Sequence, residues 1–230
     1  MCSYHMGKEE TMENIGFPFD LMITPRVQHA LNDLQRAYKL RARPCCGNLY
    51  TNFYFFVAQL ASTFARKGDR LDAEEVIIAS FFINILRETD YFTEESLRMN
   101  YGTRIASIIR DVSEKKYEGK TRLPWREYKQ LYLDQLSQVH YRGAQVVALS
   151  YALAGICKVI EEFPSKPQDE WSRVFSSTPQ DQIWFYMELL QVIMHNNEQL
   201  SEEDKLPPSL MAVYCLRLDE FKSVVKRFNT

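Results

Sequence analysis

The segment YTNFYFFVAQLASTFAR, at about residues 50–66, constrains the fold of this chain most strongly. Four aromatic residues follow one another from Phe53 to Phe56, and apolar residues then continue on every side of the helix that this pattern predicts. A helix without a polar face is normally buried in the middle of a helical bundle. The rest of the chain must therefore supply the helices that surround it.

Amphipathic patterns predict these surrounding helices. Thr24 and Pro25 are typical of a helix start, and apolar residues from Val27 to Tyr38 recur at helical spacing. Further helices are predicted at about 73–87, from 93, and at 103–112, 125–139, 143–162, 168–175, 179–196 and 208–228. Because there are only 8 Gly and 9 Pro, the chain has few of the tight turns that an all-β fold needs. We predict a single all-α domain of many helices.

The predicted domain has three parts. Residues 1–24 form an N-terminal lead-in, residues 25–198 form the helical core, and residues 199–230 add a C-terminal helix that extends the core. We expect this last helix to cover the domain or to join a homodimer. Its apolar stripe consists of Val213, Leu216, Phe221, Val224 and Val225.

Charge and composition exclude several classes of protein. The formal net charge is −2, so neither nucleic acid nor a membrane is an expected partner. No apolar run approaches the roughly 18 residues of a membrane span, and residues 1–19 lack the pattern of a signal peptide. Five irregularly spaced cysteines indicate neither a disulfide framework nor a zinc site. We expect a cytoplasmic protein with reduced thiols.

Five segments follow one another in the order of a known set of motifs. They are GNLYTNFY (47–54), FFINILRETD (81–90), NYGTRIASIIRDVS (100–113), GAQVVALSYALAG (143–155) and WSRVFSSTPQDQIWFY (171–186). Their order and separation resemble the RelA/SpoT-type HD hydrolases, in particular the single-domain SpoT-like type. These enzymes remove the 3′-pyrophosphate from guanosine alarmones with one manganese ion. The resemblance covers about residues 26–195 and implies an HD-domain fold.

The metal ligands of these hydrolases are missing at the matching positions. Phe53 stands for the first histidine, Ile83 and Asn84 for the His-Asp pair, and Tyr151 for the last aspartate. A manganese site needs carboxylate and imidazole ligands that converge on one point, and Phe, Ile and Tyr offer no such donors. The resemblance therefore implies a degenerate metal site at these four residues, with no catalytic residue, no bound metal and no cofactor.

The resemblance also explains why Asn84 lies alone in an apolar run. It stands at the position of a metal-binding aspartate, and Phe53 and Tyr151 are bulky enough to fill the space of a metal ion and its waters. A buried tyrosine hydroxyl needs a hydrogen-bond partner. We therefore predict a hydrogen bond between Tyr151 and Asn84.

Five residues are candidates for binding a nucleotide or phosphate: Arg41, Arg43, Tyr50, Arg87 and Glu88. The related hydrolases hold the guanine nucleotide with basic residues near the first two, although arginines at a helix end are also favourable in solvent. Arg87 and Glu88 replace the Glu-Asp pair that orients the attacking water, and they equally fit a solvated ion pair. The basic run from Lys115 to Lys129 fits a phosphate-facing surface or a solvated loop.

These residues lead to a functional hypothesis. The chain is expected to be a catalytically inactive HD-domain pseudo-hydrolase linked to the stringent response. It would act as a regulatory protein that binds an unknown protein partner or guanosine tetra- or pentaphosphate. The alternative is a metal-dependent phosphohydrolase, such as a ppGpp 3′-pyrophosphohydrolase, with a relocated site.

Overall fold

A computed structural model describes residues 21–43, 49–65, 68–162, 171 and 175–228. Predictions that concern the first 20 residues, and most of the helix predicted at 168–175, lie outside these ranges. Of the five cysteines, the structure describes Cys157 and Cys215.

The described chain is almost entirely helical, as predicted. The helices are α1 (Pro25–Tyr38), α2 (Tyr50–Thr63), α3 (Arg70–Phe82), α4 (Ile85–Glu88), α5 (Glu94–Tyr101), α6 (Thr103–Val112), α7 (Trp125–Leu136), α8 (Arg142–Glu162), α9 (Pro179–Glu198) and α10 (Pro208–Phe228). One small antiparallel hairpin, β1 (Tyr117–Glu118) and β2 (Thr121–Arg122), lies between α6 and α7.

Polar caps fix several helix starts at the predicted residues. The Thr24 hydroxyl accepts a hydrogen bond from the backbone N–H of Val27 at 3.2 Å, and Pro25 occupies the first turn of α1. Thr93 and Ser96 cap α5 reciprocally, which satisfies two backbone donors that the helix itself leaves unpaired.

The helix predicted at 73–87 is broken in the structure. α3 ends at Phe82, and Asn84 adopts φ −119° and ψ 9° before α4 begins. The carbonyl of Ile83 accepts a hydrogen bond from the Ser113 hydroxyl, so a side chain from the end of α6 takes the place of a helical N–H. The break turns Asn84 out of the regular helix and towards α2 and α8.

Helices α2, α3 and α8 form the centre of the core, and α1, α6, α7, α9 and α10 pack around them. Residues 142–161 of α8 are long and apolar enough to cross a membrane, but 72% of that stretch is buried inside the domain. This degree of burial is what the core helix of a soluble protein shows.

The C-terminal helix α10 packs on α8 and α9 and so covers the domain, one of its two predicted roles. Val213, Phe221, Val224 and Val225 are buried as predicted. The prediction is wrong at Leu216, whose side chain is 46% exposed, because Leu218 occupies the buried face in its place.

Candidate functional site

Three helical elements bring Phe53, Asn84 and Tyr151 together. α2 supplies Phe53, the α3–α4 turn supplies Asn84, and α8 supplies Tyr151. The rings of Phe53 and Tyr151 meet edge to face with their centroids 5.7 Å apart. Ile83, the fourth residue of the predicted degenerate site, is fully buried directly before Asn84.

Asn84 is held by hydrogen bonds from several directions. Its amide nitrogen donates to the Tyr151 hydroxyl at 3.0 Å and to the Tyr54 hydroxyl at 3.5 Å. Its oxygen accepts from the backbone N–H of Glu114 at 3.4 Å. The predicted hydrogen bond between Asn84 and Tyr151 is confirmed. We call Phe53, Tyr54, Asn84 and Tyr151 the tyrosine–amide cluster.

The tyrosine–amide cluster does not fit a manganese ion. Phe53 and Ile83 carry no ligand atom, and the Asn84 oxygen already accepts a backbone hydrogen bond. Burial, together with the charges of Glu114 and Glu88, raises the pKa of Tyr151 well above its usual value, so this hydroxyl stays protonated and is a poor ligand. Within the described part of the chain, no group of three or more His, Cys, Asp or Glu residues could hold a metal ion.

A glycine in α8 shows how closely the neighbouring space is filled. Gly155 lies in α8, one helical turn after Tyr151. A Cβ atom at this position would lie 2.8 Å from the hydroxyl oxygen of Tyr186, closer than real Cβ contacts allow. The absence of a side chain at Gly155 therefore lets the buried Tyr186 approach α8 one turn beyond Tyr151.

Glu88 accepts hydrogen bonds from two tyrosines. It therefore does not form the solvated ion pair with Arg87 that the sequence analysis offered as one interpretation. Its Oε2 accepts from the hydroxyls of Tyr38 at 2.9 Å and Tyr54 at 2.8 Å. Burial, reinforced by the Glu88 charge, raises the pKa of both tyrosines, which therefore remain hydrogen-bond donors. The second oxygen, Oε1, faces the Lys116 ammonium at 3.6 Å.

Arg41, Arg43 and Tyr50 form an arginine–aromatic rim beside Glu88. Arg41 donates to the backbone carbonyl of Glu88 at 2.7 Å, and its guanidinium carbon lies 5.3 Å from the centre of the Tyr50 ring. Arg43 lies 3.8 Å above the centre of the Phe53 ring. The structure thus places Arg41, Arg43, Tyr50 and Glu88 around one region. Arg87 is the exception, because its side chain is exposed on α4.

The basic run after α6 was interpreted as a solvated loop or a phosphate-facing surface, and the first interpretation is wrong for two of its lysines. Lys129 pairs with the buried carboxylate of Glu114, and its ammonium lies 4.0 Å from the centre of the Phe185 ring. Lys116 lies 3.5 Å from the second oxygen of Glu114. By contrast, Lys115, Lys120 and Arg122 are exposed.

Glu114, Tyr38 and Tyr54 are site residues that the sequence reasoning missed. The sequence pattern assigns the two tyrosines to the apolar faces of helices, and it predicts that the polar run containing Glu114 is exposed to solvent. Burial opposes ionisation of Glu114, but Lys129 and Lys116 outweigh it and hold its pKa below the usual value. Glu114 is therefore a buried, ionised carboxylate at the centre of the site.

Comparison with known proteins adds a likeness to solved structures. No family model and no curated protein sequence matches the chain. A solved structure of a metazoan SpoT orthologue, which hydrolyses ppGpp and plays a role in starvation responses, matches with a TM-score of 0.57 and 17% identity. The match covers 87% of this chain and 95% of that one. The chain has an all-α HD-domain fold. At this identity the likeness shows the fold alone.

Proposed function

We propose that this chain is a non-hydrolytic HD-fold protein that acts by binding, as a regulatory protein of the cytoplasm. The observation that carries the proposal is the Asn84–Tyr151 hydrogen bond beside Phe53. Side chains that bond to one another stand where the related hydrolases place metal ligands. Metal-assisted hydrolysis needs a metal ion that activates a water molecule. These side chains provide no binding site for such an ion.

The surroundings of Glu88 support the same proposal. A general base must be free to take a proton from a bound water. Both oxygens of Glu88 are already occupied, one by Tyr38 and Tyr54 and the other by Lys116. Because the described residues contain no group of three or more His, Cys, Asp or Glu that could hold a metal ion, the Glu88 carboxylate has a structural role in this proposal.

One specific observation favours a guanosine polyphosphate as the ligand over a protein partner alone. The arginine–aromatic rim presents two guanidinium groups and a half-buried tyrosine ring side by side. Guanidinium groups bind phosphate oxygens in a bidentate manner, and an aromatic ring stacks on a base. In this form the protein would be a receptor or sink for the alarmone in starvation signalling. Its protein partners would then respond to the bound state.

The test is calorimetric titration of the purified chain with guanosine tetraphosphate, with and without Mn²⁺, followed by chromatography of the products. We expect binding without product in both conditions. Arg41→Ala should weaken binding at least about tenfold, because it removes one charged phosphate contact. Lys39→Ala is the matched control, since Lys39 is exposed two residues earlier and should leave binding unchanged.

Other outcomes are equally informative. If neither binding nor product is observed, the chain does not bind the alarmone, and the version of the proposal with a protein partner alone remains. That partner is then sought by affinity capture with the chain as bait. Metal-dependent product would support the alternative of a phosphohydrolase with a relocated site. In that case metal analysis of chain purified without chelators would find stoichiometric Mn, Fe or Zn.

A further inference from the structure

Basic residues are concentrated at the start of the described chain, although the whole chain carries a formal net charge of −2. Residues 21–43 contain five Lys and Arg residues and a single acid, Asp33. The Asp33 side chain is only 8% exposed and accepts a hydrogen bond from the Tyr101 hydroxyl at 2.7 Å. The charge that this segment presents to solvent is therefore positive, and the net charge of the chain does not reveal it.

A strained turn at the end of α1 carries part of this charge. The turn runs from Tyr38 to Arg41, and the Arg41 backbone N–H donates to the Tyr38 carbonyl at 2.9 Å. Lys39 adopts φ 49° and ψ −129°, which are the angles of the first central residue of a type II′ turn, where glycine is usual. A side chain in this left-handed region costs free energy, and such strain is concentrated at functional sites.

The strained turn holds Leu40 away from the surface of the domain. Leu40 is 83% exposed, the highest value among the exposed large apolar side chains of the described residues. The exposed cations Lys39 and Arg41 adjoin it in sequence. Arg36 lies in the last turn of α1, and its side chain is 63% exposed even though it contacts Asp33. We call Arg36, Lys39, Leu40 and Arg41 the basic tip.

The basic tip has the chemistry of a surface that binds an anionic membrane. Lys and Arg side chains near a bilayer of acidic phospholipids are attracted by the negative charge of the head groups. An apolar side chain gains further when it enters the boundary between head groups and acyl chains, which needs no matched pocket. An acidic protein would have to supply a pocket for the single projecting side chain of Leu40. The projecting shape of the basic tip therefore favours a lipid surface.

We propose that the basic tip attaches the chain to the surface of an anionic phospholipid bilayer. Leu40 enters the acyl boundary, and Arg36, Lys39 and Arg41 contact lipid phosphates. One leucine and three cations give weak and reversible attachment, with an association constant on the order of 10³–10⁴ M⁻¹. The expectation that a membrane is not a partner followed from the net charge of the whole chain, and the local excess of cations revises it.

This attachment goes beyond the proposed function and does not depend on it. Leu40, Lys39 and Arg36 lie outside the arginine–aromatic rim. Arg41 belongs to both surfaces, so the variants that test the attachment leave Arg41 unchanged.

The test is co-sedimentation of the full chain with phosphatidylcholine vesicles that contain either about 30% phosphatidylserine or none, at about 0.1 M salt. We expect the wild type to bind only the vesicles with phosphatidylserine and to be released at about 1 M salt, which screens the attraction. Leu40→Ser should lower the association constant at least about fivefold, because the apolar contact is lost. Lys39→Glu should lower it about tenfold or more, because an anion replaces a cation.

Two variants elsewhere on the surface are the matched controls. Met99→Ser removes another apolar side chain, which is 73% exposed on α5. Lys120→Glu makes the same charge change at an exposed lysine of the hairpin. Both should bind the vesicles like the wild type, and circular dichroism establishes that all four variants are folded.

Wild type that sediments with neither kind of vesicle, or equally with both, would overturn the inference. Leu40→Ser that binds like the wild type would also overturn it, since the attraction would then be of charge alone. Release by water-soluble glycerophosphoserine, at a concentration equal to that of the phosphatidylserine, would assign a free-phosphate site in place of a membrane surface. Calorimetry with guanosine tetraphosphate contains no lipid, so failure of the membrane attachment and failure of the proposed function are observed separately.

Discussion

At position 84, an uncharged amide avoids the free-energy cost of burying a charged aspartate. An isolated carboxylate in this position would lie near the acidic side chains of Glu88 and Glu114, and burial of an uncompensated charge costs several kcal/mol. The amide instead donates to two tyrosine hydroxyls and accepts a backbone N–H. The hydrogen bonds of the tyrosine–amide cluster are thus satisfied without any ion.

Tyr151→Phe tests the strength of this arrangement. The substitution removes the hydroxyl that accepts from Asn84 at 3.0 Å and leaves the longer bond to Tyr54 at 3.5 Å. We expect the free energy of unfolding to fall by about 1–2 kcal/mol, because a buried N–H loses its better partner. Urea denaturation followed by circular dichroism measures this.

The matched control for Tyr151→Phe is Tyr117→Phe, since the Tyr117 side chain is 57% exposed on the hairpin. Its hydroxyl bonds to water in both the folded and unfolded chain, so stability should be unchanged. If both variants unfolded at the same urea concentration as the wild type, the Asn84–Tyr151 bond would have no energetic importance.

Among the elements, residues 113–123, which we call the strap, connect the α3–α4 turn with α7. Ser113 binds the carbonyl of Ile83, Glu114 binds Asn84 and Lys129, and Lys116 faces Glu88. Three of these contacts hold the α3–α4 segment against the strap, and the Glu114–Lys129 pair holds the strap against α7. The strap therefore fixes the broken helix geometry that positions Asn84.

Glu114→Gln tests the strap through its pH dependence. The folded-state pKa of Glu114 lies below the unfolded value, so its ionised form stabilises the fold at neutral pH. This contribution is lost as pH falls from the ordinary glutamate pKa of about 4.3 through the lower folded-state value. The variant should be roughly 3 kcal/mol less stable at pH 7, because Lys129 loses its buried partner.

The stability difference between Glu114→Gln and the wild type should shrink as pH falls below about 4.3, since the wild-type carboxyl then becomes neutral as well. Urea unfolding at several pH values between neutral and acid measures the difference. A gap that stays constant across this range would show that the charge of Glu114 contributes nothing.

The elements also show which features a sequence can predict. The Asn84–Tyr151 pairing was predictable because a buried amide and a buried hydroxyl on neighbouring core helices must satisfy each other. The break at Asn84 was not, since it depends on Ser113 reaching the carbonyl of a residue 30 positions away. The inward positions of Glu114 and Lys116 were not predictable for a related reason. Local polarity indicated solvent, and distant partners turned them inward.

At the scale of the whole molecule, the fold can be compared with that of the metazoan SpoT orthologue. The fold follows it over 87% of this chain at 17% identity, because helical periodicity and an apolar centre tolerate many substitutions. A metal site tolerates few, since each ligand needs its own donor atom. The all-α architecture was therefore predictable from apolar spacing, whereas the ligand of the site is not given by the fold.

Phe221→Ala tests whether α10 belongs to the cooperative unit of the domain. The ring of Phe221 is fully buried and meets that of Tyr186 edge to face with their centroids 6.3 Å apart. We expect a loss of about 3–5 kcal/mol in the free energy of unfolding, because the substitution leaves a cavity between α9 and α10. Leu216→Ala on the same helix is the control and should cost well under 1 kcal/mol, since Leu216 is 46% exposed.

Urea unfolding, followed both by circular dichroism and by amide exchange in α8, should give one transition that moves by the same amount for both probes. If α10 instead melted first while α8 kept its protection, the C-terminal helix would be a separate appendage and not an extension of the core.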